Sequence, residues 1–102
     1  MSENGLRLLG LGLRAGTVVI GVSGVRAALK SGELALVVVA GDHGHRTADK
    51  VVRLARGLKV PVVNCAARAA ELGARLGSGP IQAAGVRDRH LASGILNGLM
   101  EL

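Results

Sequence analysis

The stretch that decides the fold covers residues 15–40 and reads AGTVVIGVSGVRAALKSGELALVVVA. Its beginning, Thr17 to Ile20, is rich in β-branched residues and predicts a strand that ends at Gly21. Its end, residues 34–39, is a continuous apolar run of the kind found in strands that are covered on both faces. Two such strands with a helix between them indicate an α/β protein.

The segment between the two strands carries a helical pattern. Ser23 is predicted as the N-cap of a helix that runs to Lys30, and Ser31 with Gly32 closes it. Residues Gly21 to Gly24 then form the exposed start of the helix, where backbone N–H groups lack partners within the helix. Because the glycines leave the backbone open to close approach, this start is a candidate site for an anionic ligand.

Hydrophobic periodicity predicts the remaining elements, which are, in chain order, a helix over 4–14, a helix over 45–58, a strand over 60–63, a helix over 66–76, a strand over 81–84 and a last helix. Asp88 is the predicted cap of the last helix, whose apolar face holds Leu91, Ala92, Ile95, Leu96 and Leu99. This order predicts a three-layer α/β/α sandwich with a central four-stranded mixed sheet, as one domain over residues 1–102.

The composition narrows the class of protein. The chain has 102 residues, of which 49% are hydrophobic and none is Phe, Tyr or Trp, so the core must be aliphatic. No apolar run approaches the roughly 20 residues that a membrane span requires. The first residues, MSENGLR, lack the pattern of a secretory signal, and a single cysteine excludes an internal disulfide. We therefore expect a cytoplasmic protein without a membrane partner.

The charge balance favours a polyanionic partner. Thirteen Lys and Arg stand against seven Asp and Glu, for a formal net charge of +6. Such a balance in a small domain points to RNA, although a merely basic surface is the open alternative. One helix face, with Arg46, Lys50, Arg53 and Arg56, could track phosphates, but we interpret it as a solvated face.

A loop with Asp42, His43 and His45 follows the second buried strand and suggests a metal site. A structural zinc site usually has four ligands, and the lone thiol, Cys65, is remote in sequence. We predict no metal and no cofactor, and expect Asp42 or a nearby polar group to cap the next helix and Cys65 to be buried. Without a carboxylate pair or an activated nucleophile, the chain is not expected to be an enzyme.

Five segments resemble, in this order, landmarks of the ribosomal protein L7Ae and L30e superfamily, especially its small bacterial branch. They are LLGLGLRAG, VSGVRAALKSGELALVVVAGD, KVPVV, ELGARLGSG and AAGVRDRHLASGIL, which together extend from Leu8 to Leu96. The resemblance implies an α/β/α sandwich, in agreement with the periodicity. It also implies binding to kinked RNA, mainly kink-turns, with ribosomal RNA as one candidate partner.

In the superfamily, the first turn of the second helix contacts RNA through a Gly-x-Asn-Glu-x-x-Lys motif. At these positions the present chain has Gly21, Ser23, Gly24 and Ala27, so only the glycine is kept. A second contact is implied for the loop of residues 77–81. Without the Asn, Glu and Lys side chains that contact bases and supply charge, the motif implies weak, salt-sensitive recognition of RNA shape.

The predicted RNA-binding residues combine these implications with the nearby cations, and they are Arg14, Gly21, Val22, Ser23, Gly24, Arg26, Lys30, Gly79, Pro80 and Ile81. The spacing of Ser23, Arg26 and Lys30 places them on one helix face. The alternative function is a protein-interaction domain of the same fold that has lost RNA binding. Its motivation is the missing Asn-Glu-Lys set and the apolar segment Thr17 to Val22, for which self-association is one outcome.

Overall fold

The computed structural model describes the backbone of residues 1–100 and the side chains of residues 1–97, so the predicted role of Leu99 lies outside the described side chains. The elements are α1 (Glu3–Ala15), β1 (Val18–Ile20), α2 (Val22–Lys30), β2 (Leu36–Val39), α3 (His45–Thr47), a π-helical turn (Ala48–Val52), α4 (Arg53–Gly57), β3 (Val62–Asn64), α5 (Ala69–Arg75), β4 (Ala83–Val86) and α6 (Arg89–Met100). Residues 45–57 therefore form one continuous helix with a π turn in its middle.

The four strands form one mixed sheet in the order β1-β4-β2-β3. β4 pairs antiparallel with both β1 and β2, while β3 pairs parallel with β2. The central strands β2 and β4 are buried along their whole length, and for β2 the apolar run of residues 34–39 predicts this. The α/β class and the four-stranded mixed sheet are thus confirmed.

Two hydrophobic layers cover the two faces of the sheet because side chains alternate along each strand. Leu36 and Val38 of β2 point into a layer formed with α1, α5 and α6. Val37 and Val39 point into the other layer, formed with α2 and the helix over 45–57. Helices α1 and α5 therefore lie on the opposite face of the sheet from α2.

Several local predictions are wrong, each for a physical reason. Ser23 is not an N-cap, because α2 begins at Val22 after Gly21, whose φ of 96° and ψ of 148° set the turn. The last strand begins at Ala83 rather than at residue 81, because the Ile81 N–H donates to the Ala69 carbonyl of α5 and not to a neighbouring strand. Leu58 is 48% exposed, because the helix ends before it completes the apolar stripe.

Polar caps follow the prediction at one helix and depart from it at another. Asp88 Oδ1 accepts hydrogen bonds from the N–H groups of His90 and Leu91 at 2.7 and 3.2 Å, as expected for the last helix. Asp42 does not cap α3; its Oδ1 instead accepts a hydrogen bond from the Ala69 N–H at 2.7 Å, at the start of α5. Cys65 is buried in the core, as predicted.

No helix in the described part of the chain has the length and apolarity to cross a membrane. Within the same residues, no group of three or more His, Cys, Asp or Glu side chains is arranged to hold a metal ion. The loop histidine His43 instead lies with its Nδ1 2.7 Å from the Ala40 carbonyl oxygen.

Candidate nucleic-acid interface

The start of α2 is fixed beside the start of β4. The Gly21 N–H donates to the Ala83 carbonyl at 2.9 Å, and Gly21 adopts a positive φ that favours glycine. No side chain in the described part of the chain caps this end of α2. The N–H groups of the first turn thus remain available, and together with the helix dipole they favour an anion.

The loop before β4 approaches the same end of the sheet but presents only part of its predicted surface. Gly79 and Pro80 are exposed, whereas Ile81 is 3% exposed and belongs to the core. The Ile81 N–H donates to the Ala69 carbonyl at 2.9 Å, which holds the loop against α5. In this conformation the Ile81 side chain is therefore not accessible to RNA.

Gln82 connects this loop to the start of α3. Its Oε1 accepts hydrogen bonds from the Gly44 N–H and from the Thr47 hydroxyl, each at 3.1 Å. Thr47 is buried, and its hydroxyl is satisfied by this contact. The residue after Gln82 is Ala83, whose carbonyl accepts the hydrogen bond from the Gly21 N–H. The adjacent residues Gln82 and Ala83 therefore hold the starts of α3 and α2 together.

Between α2 and the following helix lies a cleft of about 290 Å³, which we call the α2–α3 cleft. Arg26 and Lys30 reach it from α2, and Arg46 and Lys50 reach it from α3 and the π turn. Ser23 also lines the cleft, so the predicted face of Ser23, Arg26 and Lys30 is formed. No carboxylate lines it, and its charged side chains are all cationic.

The acidic side chains of residues 1–97 contact groups outside the lining of this cleft, and Asp49, the acidic neighbour of Lys50, lines an adjoining cleft with Arg26 and Arg53. Every acidic side chain of residues 1–97 contacts a cation or a helix start: Glu3 contacts Arg75, Glu33 contacts Arg87, Asp42 contacts Arg68 and Ala69 N–H, Asp49 contacts Arg53, Glu71 contacts Arg68 N–H, and Asp88 contacts the N–H groups of His90 and Leu91. None of these pairs involves Arg26, Lys30, Arg46 or Lys50, so the cations of the α2–α3 cleft have no carboxylate partner among the described side chains.

The π turn contributes to the cleft by its backbone. At its end the Arg53 N–H donates to the Ala48 carbonyl, five residues back. The Lys50 carbonyl within the turn accepts a hydrogen bond from Arg26 Nη1 at 2.9 Å. This contact ties α2 to the π turn, so Arg26 shapes the cleft besides contributing charge to it.

Gly24, at the position of the missing glutamate, lies close to β1. A Cβ atom on Gly24 would lie 2.9 Å from Val19 Cγ2, tighter than a normal contact. Val19 and Val22 are half-buried and pack against the core on this face. Val19 and Val22 thus contribute to the core on this face and remain partly exposed.

Arg14 is not part of this site. It lies in the last turn of α1, on the opposite face of the sheet from α2. There it lines a second cleft, of about 490 Å³, that we call the α1–α5 cleft. The other charged residues of that cleft are Arg7, Arg75 and Glu3; Glu3 is paired with Arg75, whose hydrogen bond lowers the pKa of the Glu3 carboxyl.

Sequence reasoning named Arg46 and Lys50 as cations that could track phosphates, but it did not place them beside α2. Their spacing of four residues places them on one helix face, and this was visible in the sequence. What the sequence could not show is that this face meets α2, because the crossing of two helices depends on the whole sheet. The four cations of that face are solvent-exposed, as interpreted, and two of them, Arg46 and Lys50, also border the α2–α3 cleft.

Comparison with known proteins agrees with this architecture. Residues 3–93 match the model of a family described as Ribosomal protein L7Ae/L30e/S12e/Gadd45 family, which confirms the resemblance found in the sequence. A solved protein of unknown function from Bacillus halodurans is 31% identical over 92% of this chain and 98% of its own, with a TM-score of 0.79. The Giardia lamblia 15.5kD RNA binding protein is 17% identical over 99% of this chain and 89% of its own, with a TM-score of 0.74, a likeness of fold. No curated protein matches the chain.

Proposed function

The chain belongs to the Ribosomal protein L7Ae/L30e/S12e/Gadd45 family, and from this premise we propose that it is a non-catalytic protein that binds structured RNA. The observation that carries the proposal is the α2–α3 cleft, whose charged side chains are all cationic and which adjoins the uncapped start of α2. The RNA-binding protein of similar fold from Giardia lamblia also supports RNA binding.

The binding surface consists of the first turn of α2 and the cations of the α2–α3 cleft. The N–H groups after Gly21 and the hydroxyl of Ser23 bind phosphate or 2′-hydroxyl oxygens. Lys30, Arg46 and Lys50 supply charge along the cleft. Gly79 and Pro80, exposed in the loop before β4, form the edge of this surface.

Recognition is led by the shape of the RNA. Gly24 has no side chain to read a base edge, and Ala27 carries no charge, so contacts to the phosphate backbone dominate. Since the chain lacks aromatic residues, it has no platform on which unpaired bases stack. We propose a kinked RNA, such as a kink-turn or a bent ribosomal RNA segment, whose backbone follows the cleft. The lone buried Cys65 fits a reducing compartment, and we propose the cytoplasm.

A salt-titrated binding assay tests the proposal, with a kink-turn RNA and a plain duplex of the same length. The variant Lys30→Gln with Arg46→Gln removes two cations of the cleft and leaves the Arg26 contact intact. We expect at least a tenfold weaker affinity at low salt, and a slope of log affinity against log salt that is shallower by about two. Tighter binding of the kink-turn than of the duplex supports recognition of shape.

The control variant is Arg56→Gln with Arg89→Gln, which removes the same charge from exposed positions outside both clefts. It is expected to change the affinity less than threefold. Equal loss in both variants would reduce the interaction to net charge and overturn the assigned site. Absence of RNA binding by the unaltered chain would overturn the function and favour the protein-interaction domain.

A further inference from the structure

The α1–α5 cleft carries a cluster of cations that the proposed function does not use. Arg7 and Arg14 lie two turns apart on α1, and Arg75 reaches the cleft from α5. Arg75 is held by Glu3 through two hydrogen bonds between guanidinium and carboxylate. Arg7 has only a long contact of 3.4 Å to Asn4 Oδ1, and Arg14 has no acidic partner among the described side chains.

The floor of the cleft between the two arginines is a glycine. Arg7, Gly10 and Arg14 follow one another at helical spacing on the same face, and all three line the cleft. Glycine is a poor helix former, so its presence inside α1 calls for a reason. A close approach of another group to the helix backbone is one such reason.

Packing inside the protein does not supply that reason at Gly10. A Cβ atom built on Gly10 would have its nearest neighbour, Leu76 Cδ2, at 3.8 Å, an ordinary contact distance. Gly12 in the same helix is different, because a Cβ there would lie 2.6 Å from Val18 Cγ2. Gly12 is thus required by the fold, whereas Gly10 keeps the surface between Arg7 and Arg14 open.

The geometry fits an extended polyanion better than a small ion. Arg7 and Arg14 are seven residues apart, which is about 10 Å along a helix. Two charges at this separation, with an open backbone between them, are too far apart for one compact anion, but they can contact separate phosphates of a nucleic-acid strand that lie more than one nucleotide apart. The cleft lies across the sheet from the α2–α3 cleft, in a molecule with extents of 27 × 26 × 26 Å. Ligands on the two faces would therefore be kept apart by the sandwich.

We propose that the α1–α5 cleft is a second phosphate-binding surface, and that one molecule holds two RNA segments on opposite faces of its sheet. The choice of RNA as the ligand rests on the proposed function. Arg7 and Arg14 bind backbone phosphates, and Gly10 lets the strand lie against α1. The protein thereby joins two segments of one folded RNA, or two RNA molecules.

A bridging assay with the full chain tests this proposal. Equal amounts of a kink-turn RNA labelled with a fluorescent donor and the same RNA labelled with an acceptor are mixed with protein at low salt. We expect energy transfer with the unaltered chain, and a complex of one protein with two RNA molecules by light scattering. The variant Arg7→Gln with Arg14→Gln should lose energy transfer at least fivefold and bind one RNA, with its first affinity changed less than twofold.

Two further variants separate the surface from net charge and from folding. Arg56→Gln with Arg89→Gln removes the same charge from outside both clefts, and it should retain bridging. Gly10→Glu places a bulky anion between the two arginines, and it should abolish bridging while circular dichroism shows an unchanged fold. Retained bridging in Gly10→Glu or in Arg7→Gln with Arg14→Gln would overturn the proposal.

The remaining outcomes are also decisive. A complex of one protein with one RNA would overturn the second surface and leave the proposed function intact. A complex of two proteins with two RNA molecules would assign bridging to self-association and overturn it as well. Absence of all RNA binding would overturn both proposals. Binding of one RNA without bridging would overturn only the second surface, so the two failures are distinguishable.

Discussion

Arg26 Nη1 donates a hydrogen bond of 2.9 Å to the backbone carbonyl of Lys50, across the two helices that border the α2–α3 cleft. The acceptor lies in the π-helical turn of residues 48–52. π turns interrupt regular helices and are frequent at functional sites. The contact therefore joins Arg26, a cation on the α2 side of the cleft, to the π turn on the opposite side.

Arg26→Gln is expected to lower both stability and RNA affinity, because Arg26 has a structural contact as well as a charge. The free energy of unfolding should fall by about 1 kcal/mol, the usual worth of one hydrogen bond. Urea unfolding followed by circular dichroism measures this, since the chain has no aromatic residue for intrinsic fluorescence.

Lys30→Gln is the matched control on the same helix face. Lys30 is exposed and makes no described hydrogen bond or ion pair, so its removal should change the unfolding free energy by less than about 0.5 kcal/mol. Both variants should weaken RNA binding at low salt. Equal stability of the two variants would contradict the structural role of Arg26.

The layers of the fold were accessible from the sequence because periodicity reports burial. The run ending at Val39 is apolar at every position, and the structure buries β2 on both faces. Boundaries were less accessible, because turn geometry decides them. Ser23 has the chemistry of an N-cap, but Gly21 takes that position through a backbone conformation that the residue types alone do not dictate.

Only the α2 side of the candidate site could be predicted from the sequence, because there the family motif and the spacing of Ser23, Arg26 and Lys30 indicate the same residues. Its other wall depends on how helix 45–57 crosses α2, and Gln82 helps to fix that crossing through contacts 38 and 35 residues apart in sequence. Such long-range contacts leave no local signature. For the same reason Arg14 was grouped with α2, although the sheet separates them.

Gly24→Ala is expected to destabilise the protein through Val19. The added Cβ would lie 2.9 Å from Val19 Cγ2, and the β-branched side chain of this strand residue has few alternative rotamers. In a Val19→Ala background the same change meets open space and should be neutral or stabilising, since alanine favours helix. The double-mutant cycle should therefore show a coupling of about 1 kcal/mol, measured by urea unfolding.

This cycle also bears on the missing glutamate of the superfamily motif. If Gly24→Ala costs the same with and without Val19, the close approach to β1 does not exclude side chains at position 24. The coupling we expect means instead that restoring a glutamate there requires a change at Val19 too. The departure from the motif would then involve two positions, Val19 and Gly24.

The pair of Glu3 and Arg75 predicts a small acid-side dependence of stability. The Arg75 hydrogen bond lowers the pKa of Glu3 below its ordinary value of 4.5. A lowered folded-state pKa means that the contribution to stability is present above pH 4.5 and is lost as the pH falls through the folded-state pKa. Glu3→Gln should make the melting temperature less dependent on pH in that window.

Arg75→Gln serves as the partner control for this effect. It should flatten the same part of the pH profile, and the double variant should add nothing further. Both groups are solvent-exposed, so 0.5 M salt should reduce the difference between the variants and the unaltered chain. A pH profile unchanged in Glu3→Gln would exclude a contribution from this pair.

Gly73→Ala is expected to be the most damaging of these substitutions, because Gly73 of α5 touches the backbone of the loop before β4. A Cβ there would overlap the Gly79 carbonyl oxygen and lie 2.6 Å from its carbon and 3.1 Å from Pro80 Cα. Backbone atoms cannot rotate away, so the loop must shift, at a cost of about 1–3 kcal/mol. Gly57→Ala is the control with the opposite sign, because nothing lies near its added Cβ and alanine favours helix by up to about 1 kcal/mol. Thermal unfolding by circular dichroism measures both.

At a temperature where both variants are folded, RNA affinity should fall in Gly73→Ala alone, since only that change displaces Gly79 and Pro80. An unchanged affinity would remove this loop from the interface and leave the α2–α3 cleft as the whole of it.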